Sequence, residues 1–163
     1  LISLASSLNV INNVMFPIHF VENEIMLDAD LYKRYSVCDA YIELSAGEGF
    51  CYGLLESLLH NKPVVYLNYG GHAEYCNAFG YAVSVSDYYS ARNINMRWAL
   101  PKLNDAVRGM NIVSSKSYVA TKSSDFIKET FDWDSVIIPK LLETIEDNFI
   151  QKRKMSFNLK KVL

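Results

Sequence analysis

The chain has 163 residues, half of them apolar, with a formal net charge of −2, enough chain for a buried core and too balanced a charge for a nucleic-acid-binding surface. Its three cysteines, Cys38, Cys51 and Cys76, are odd in number and lack paired metal-ligand spacing, which argues against a disulfide framework or a structural zinc and for a reducing, cytoplasmic compartment. Neither a run of about eighteen apolar residues nor the basic-then-apolar order of a signal peptide is present, so no transmembrane segment is expected.

Along the chain short β runs alternate with longer helical ones, which predicts an α/β fold with a parallel sheet flanked by helices. Residues 1–8 read as a helix, 13–18 as a strand, and 28–37 as a helix that Asp28 caps. Residues 40–44 form the next strand, and 51–59 carry Leu54, Leu55, Leu58 and Leu59 at helical spacing for one buried face. Strands at 64–67 and 82–85 complete four. Pro101 suits the first turn of a helix running to Met110, and a further helix begins near Ser117. The last strong helix starts near Asp134, with Val136, Ile137, Leu141, Leu142 and Ile145 recurring at three and four and Trp133 before it as a core anchor.

The eleven tyrosines are scattered, which reads as half-buried packing rather than a stacking platform. Neither an internal repeat nor a linker divides the chain, so residues 1–150 are expected to form one domain and 151–163 a basic tail. That tail holds five basic residues and no acid, which reads as a solvated end or as attraction to an anionic membrane surface.

The chemistry concentrates in residues 45–56, Ser45-Ala46-Gly47-Glu48-Gly49-Phe50-Cys51-Tyr52-Gly53-Leu54-Leu55-Glu56. In isolation Glu48 and Glu56 read as a helix-cap acid and a solvated helix acid. Their flanks shift that reading toward a binding loop, because a strand leads in, another follows, and Asn68-Tyr69-Gly70-Gly71-His72-Ala73-Glu74 then makes a glycine turn into a polar segment. A polar turn ending in a helix N-terminus offers free N–H groups to a diphosphate, and carboxylates accept hydrogen bonds from sugar hydroxyls.

With these parts in this order, the chain resembles the C-terminal, donor-binding domain of the GT-B glycosyltransferases of the group-1, glycogen-synthase-like retaining family. Glu48-Gly49-Phe50 with Glu56 resembles its paired-glutamate motif, and Ser45 the serine that ends its fourth strand. Leu31-Tyr32 and Cys38-Asp39-Ala40 resemble the helix leading into that strand, and Lys62-Pro63-Val64-Val65 the strand that follows. Gly70-Gly71 with Glu74 resembles the loop after it, and Phe131-Asp132-Trp133-Asp134 the turn that opens the family's last helix. The resemblance spans most of residues 10–150 and implies a Rossmann-like sheet.

The resemblance also implies an activity: transfer of a sugar from a nucleotide-diphosphate donor, UDP- or GDP-linked, to an acceptor hydroxyl with retention. Glu48 would face the donor sugar as the catalytic residue and Glu56 would bind the ribose hydroxyls. Gly49, Phe50, Cys51 and Tyr52 would contact sugar and diphosphate through backbone N–H groups, with Ser45, Gly71 and His72 at the rim of the cleft. For His72 a donor contact and a polar turn residue are both open, while His19 reads as a polar loop residue, with a place beside the nucleobase as what the resemblance implies for that strand end. His60 reads structurally, as a cation at a helix C-terminus. Neither a metal nor another cofactor is expected, since backbone dipoles and basic side chains would balance the departing diphosphate.

The chain departs from the family at two places. It begins in mid-pattern, where the resemblance expects two earlier strands and an arginine-and-lysine pair for the donor phosphates. A fragment lacking its first strands and an N-terminal acceptor domain is therefore expected, with a rebuilt sheet as the other reading. Cys51, Tyr52 and Gly53 stand where the family usually has Gly, Leu and Pro; Gly53, a poorer helix former than alanine by about 1 kcal/mol, signals either a close approach or a frayed first turn. The acceptor, whether glycan, lipid or protein, stays open. The rival to catalysis is a non-catalytic sugar-nucleotide-binding or assembly domain derived from such an enzyme.

Overall fold

A computed structural model describes residues 1–16, 27–90, 97–115 and 122–159, with 151–159 as backbone alone. The chain divides into two compact units, Leu1–Val37 and Cys38–Leu163. The first holds α1 (Ile2–Ser7), a 3-10 turn at Ile11–Asn13 and α2 (Asp28–Val37). Asp28 and Asp30 fill the first turn of α2, where negative charge suits the helix's positive end. Asp30 also pairs with Lys33 at 3.2 Å.

The strand expected at 13–18 does not form over its described part. Asn13 closes the 3-10 turn, and residues 14–16 have no regular structure. A β-like run needs a ladder partner and a face to bury, and Val14 and Met15 remain 41% and 88% exposed. The rest of that run and His19 lie outside the described residues.

The second unit is α/β. Strands β1 (Tyr41–Glu43), β2 (Val64–Leu67) and β3 (Gly80–Val83) form a parallel sheet in the order β1-β2-β3. Helix α3 (Tyr52–Leu59) connects the first two strands, and the short α4 (Ala73–Cys76) the second and third. All four residues of β2 are buried, as a central parallel strand covered on both faces requires.

Val64 and Tyr66 face one core with Leu54 and Leu58 of α3 and with Ile127 of α6 (Ser123–Phe131). Val65 faces the opposite core with Val83 and with Ala106 and Val113 of α5 (Leu103–Val113). Each fully buried leucine there contributes roughly 1.5–3 kcal/mol of transfer free energy. A parallel sheet flanked by helices on both faces is compatible with Rossmann-like topology.

Between sheet and α5 stands an antiparallel hairpin that periodicity did not foretell, β4 (Val85–Ser90) and β5 (Arg97–Pro101), in register Tyr89↔Trp98 and Ser90↔Arg97. It corrects two expectations. The strand expected at 82–85 is cut at Val83, because the Ser84 N–H turns aside to donate to the Asp105 carboxylate at 2.7 Å, and Val85 begins the hairpin. Pro101 ends β5 opposite Val85 instead of opening the helix, a place where its missing N–H costs no central ladder bond.

Ser117 lies outside the described residues, and α6 starts at Ser123, whose hydroxyl donates to Leu58 O at 2.8 Å. The adjacent Ser124 N–H donates to Asn61 Oδ1 at 3.1 Å, so α6 is pinned to the end of α3. A π-helical turn (Trp133–Ile137) then leads into α7 (Ile138–Leu159).

Trp133 is no core anchor: it is 66% exposed, because Asp132 caps the turn through Ser135 N and Oγ (2.8 and 2.7 Å) and turns the indole outward. The α7 stripe is helical as its spacing predicts, yet Leu141, Leu142 and Ile145 stay exposed. Among the described residues no helix is long and apolar enough to cross a membrane.

Two substitutions test this packing. A Cβ on Gly109 would lie 2.4 Å from Cδ1 of Tyr81, a ring tethered by its hydroxyl to Asp105 at 2.6 Å. Gly109→Ala should therefore lower stability by about 1–3 kcal/mol in spite of a helix-propensity gain of about 1 kcal/mol, read by urea denaturation.

Hydrogen bonds from Tyr81 and then from Ser84 hold the Asp105 carboxyl down to about 2. Its folded form favours the carboxylate, so its contribution is present above the ordinary range near 3.9 and is lost as pH falls through about 2. The stability gap between wild type and Asp105→Asn should stay constant from pH 7 to 5 and shrink between about pH 4 and 2.

Candidate functional site

The motif loop leaves the carboxyl end of β1, the edge where open α/β sheets bind ligands. Its first element is Glu43, which accepts from the Ser45 N–H at 3.0 Å, from the Ser45 hydroxyl, and from Tyr41 Oη at 3.4 Å. Ser45 is thus a half-buried partner of Glu43. Burial, and next the Glu43 charge, push the Tyr41 phenol well above its usual range.

The hairpin then meets the loop. Ala99 N–H donates to Ala46 O at 2.8 Å, and a Cβ on Gly47 would sit 3.7 Å from the Trp98 ring. Tyr69, just ahead of the glycine pair, donates its hydroxyl to Arg97 O and sets its ring against Tyr88 at 5.6 Å. The Arg97 guanidinium lies 4.9 Å over the Tyr88 ring.

The two loops after β1 and β2 touch backbone to backbone. Gly71 N–H donates to Glu48 O at 3.4 Å, while Gly70 takes φ +97°, a conformation that favours glycine. A Cβ on Gly70 would lie 2.6 Å from Glu48 O, and one on Gly71 2.2 Å from Gly49 O. The pair is therefore required by close approach. Glu48 and Gly49 ride at the exposed crest of this contact.

Beyond the crest the chain turns into α3. Tyr75 of α4 donates its single hydroxyl toward both Phe50 O and Cys51 O, the latter at 2.9 Å. The Phe50 ring packs on Tyr75 and Phe131 at 5.4 and 5.3 Å. Cys51 stands at the N-cap with φ +58° and ψ +75°, its thiol buried and no side chain capping the helix. A left-handed backbone of this kind favours glycine over a residue with a Cβ. Burial pushes the Cys51 thiol up, and the Glu43 and Glu48 charges add to that; the Leu54 N–H acts in the opposite direction.

Glu56 is half-buried on α3, and its charge bears on Tyr41. The Glu48 charge bears on Cys51 and Tyr75, and that of Glu43 on both Cys51 and Tyr41. Glu43 and Glu48 thus act together on Cys51, and Glu43 and Glu56 on the Tyr41 phenol. Sequence reasoning named Glu48 and Glu56 and missed Glu43, whose signal was an acid closing the apolar strand run Tyr41-Ile42-Glu43-Leu44. It also missed Trp98 and Tyr75, which reach the loop through the hairpin and α4.

Three predicted residues sit elsewhere than at an open cleft. His72 is fully buried, with Nε2 3.0 Å from Leu67 O, its ring edge-on to Tyr66 and Nδ1 without a partner among the described residues. Its backbone, not its ring, is what the glycine turn presents. Phe50 and Tyr52 turn into an aromatic groove of about 400 Å³ completed by Leu55, Phe131, Trp133 and Ile137. An open concavity of about 760 Å³ along α5 includes Asn104 and Arg108 but none of the motif residues.

His60 closes α3, its Nδ1 2.8 Å from Glu56 O, in keeping with a structural role. Among the described residues no group of three or more His, Cys, Asp or Glu side chains is placed to hold a metal ion. Comparison with known protein families, curated proteins and solved structures gave no match to this chain.

The Cys51 backbone makes a direct forecast. Cys51→Gly relieves about 1 kcal/mol of left-handed strain and gives up a similar amount of thiol burial, so stability should stay within about 1 kcal/mol of wild type. Cys51→Val, β-branched at positive φ, should lose about 2 kcal/mol or more. Guanidinium denaturation of the pair reads both.

Proposed function

We propose that this chain is the donor-binding part of a GT-B, retaining glycosyltransferase that takes the sugar of a UDP- or GDP-linked donor. The observation that carries this reading is the union of the motif loop and the glycine loop. A paired-glutamate strand–turn–helix meets a Gly-Gly turn so closely that neither Gly70 nor Gly71 has room for a side chain. Such a union builds a shallow backbone shelf at the carboxyl edge of the parallel strands.

On this reading the exposed Glu48 meets the donor sugar and the half-buried Glu56 accepts hydrogen bonds from the ribose hydroxyls. The N–H groups opening α3 meet the diphosphate, with the helix dipole in the favourable sense. During transfer the bond from the anomeric carbon to the diphosphate oxygen breaks, a bond to the acceptor oxygen forms on the same face, and the acceptor proton leaves. Glu43 acts through Ser45 and Tyr41, holding the end of β1 in place.

Calorimetric titration with UDP, GDP and their sugar conjugates tests the reading, on this chain and on the longest parent chain containing it. Glu56→Ala should weaken nucleotide binding by about 2–3 kcal/mol, the range for a charge-assisted hydrogen bond. Glu48→Ala should cost less than about 1 kcal/mol in nucleotide affinity but depress turnover strongly in the parent. Equal and negligible effects from both changes would refute the assignment and favour a non-catalytic assembly domain.

A further inference from the structure

The motif loop meets an aromatic pair on the hairpin. Tyr89 and Trp98 stand opposite each other in the ladder, so both rings project from one face, while Tyr88 and Arg97 project from the other. The two rings touch edge-on with centroids 5.6 Å apart. Their hairpin is bonded to the loop through Ala99 N–H and Ala46 O at 2.8 Å. The Cδ1 and Nε1 atoms of Trp98 then lie 3.7 and 3.9 Å from the place a Cβ would take on Gly47, the chain neighbour of Glu48.

Pairing of the rings accounts for the hairpin's register but leaves two polar tips unused. Among the described residues none accepts from the Trp98 Nε1–H or bonds the Tyr89 hydroxyl. Both tips are open to solvent: Trp98 is half-buried without Nε1 being sealed in, and Tyr89 is 40% exposed. Gly47 lays no side chain over the indole edge, and the exposed Glu48 follows it directly.

A ring face with a free N–H donor, a second ring with a free hydroxyl and a carboxylate one residue away suit a neutral sugar ring. Its C–H face lies on an aromatic face, while its hydroxyls accept from the indole N–H and donate to the carboxylate. An anion is less suited to this edge, where the Glu43 and Glu48 charges act on the same loop. We infer that Trp98 and Tyr89 form a sugar-stacking platform at the Gly47 end of the motif loop, with the Trp98 N–H as a hydroxyl-binding donor. This deepens the proposed reading and rests on it for the nucleotide. The same ring chemistry belongs to a donor's sugar and to a free acceptor glycan, and the test separates these sources.

Gly47→Ala is the cleanest probe. Gly47 has no left-handed φ, and apart from its chain neighbours no atom lies closer than 3.7 Å to the added methyl, so the variant should fold while the methyl covers the indole edge. Calorimetry on wild type, Gly47→Ala and Trp98→Leu, in this chain and in the longest parent chain containing it, uses UDP, GDP, their glucose and mannose conjugates, and free glucose, mannose and maltotriose. Circular dichroism checks each fold. In a Trp133→Phe background Trp98 is the chain's remaining indole, and its emission should shift when sugar binds. The sugar probes that wild type binds should weaken about fivefold or more in both variants, as loss of an aromatic contact implies, with UDP and GDP unchanged. Weakening confined to the conjugates assigns the ring to the donor, and weakening of the free sugars assigns it to an acceptor.

Sugar binding indifferent to both variants, or a loss shared equally by UDP and GDP, would overturn the inference and spare the glycosyltransferase reading. Trp98-dependent binding of free sugar without any nucleotide binding would sustain the inference and overturn that reading. Silence of both chains toward every probe would overturn both. If Trp98→Leu unfolds, Gly47→Ala decides alone.

Discussion

The approach of Gly71 to the Gly49 carbonyl sets the architecture of the site. Two loops that leave neighbouring parallel strands are brought together at a separation where a Cβ would stand 2.2 Å from an oxygen. Everything else at this edge follows from that meeting. It fixes where Glu48 emerges and it forces Gly70 into its left-handed turn. The chain is then directed inward through the left-handed Cys51 and into α3, whose leucines fill the core beneath the sheet.

Legibility in the sequence followed the range of the forces involved. The wholly apolar run Val64–Leu67 and the leucines of α3 announce themselves, because burial against a sheet imposes local periods of two and 3.6. The strand order also accords with the reading of neighbouring parallel strands joined by helices. The hairpin escaped because Val85–Ser90 is mostly exposed and tyrosine-rich, so its pairing with Arg97–Pro101 left no buried alternation to read. Trp133 was misjudged for the opposite reason: an aromatic beside a strong helix looks like an anchor, and only the Asp132 cap reveals that the turn throws it outward.

The site was legible in part. The strand before Glu48 and Gly49, and the helix that carries Glu56, form as the sequence pattern predicts. Glu43 was hidden by sitting inside a strand, and its importance appears only when three donors converge on one carboxylate. His72 shows that adjacency to a loop does not give access to it: the backbone turn is at the surface while the imidazole is sunk against Leu67. The bond from Ala99 N–H to Ala46 O, which ties the hairpin to the motif loop, belongs to tertiary structure and has no signature along the chain.

Tyr75 joins regions that would otherwise be independent. Helix α4 has four residues, too few to persist by their own hydrogen bonds, and its Tyr75 hydroxyl reaches the Phe50 carbonyl and also the Cys51 carbonyl, which accepts from the Leu54 and Leu55 N–H groups of α3 as well. One phenol hydroxyl, buried enough that its proton is held far more tightly than in water, serves both. The loop and the helix consequently order together or not at all, as a single cooperative unit. Opening of this edge of the sheet is then a local melting event whose free energy is shared across both loops, so slow amide exchange at one of them reports on the integrity of the other.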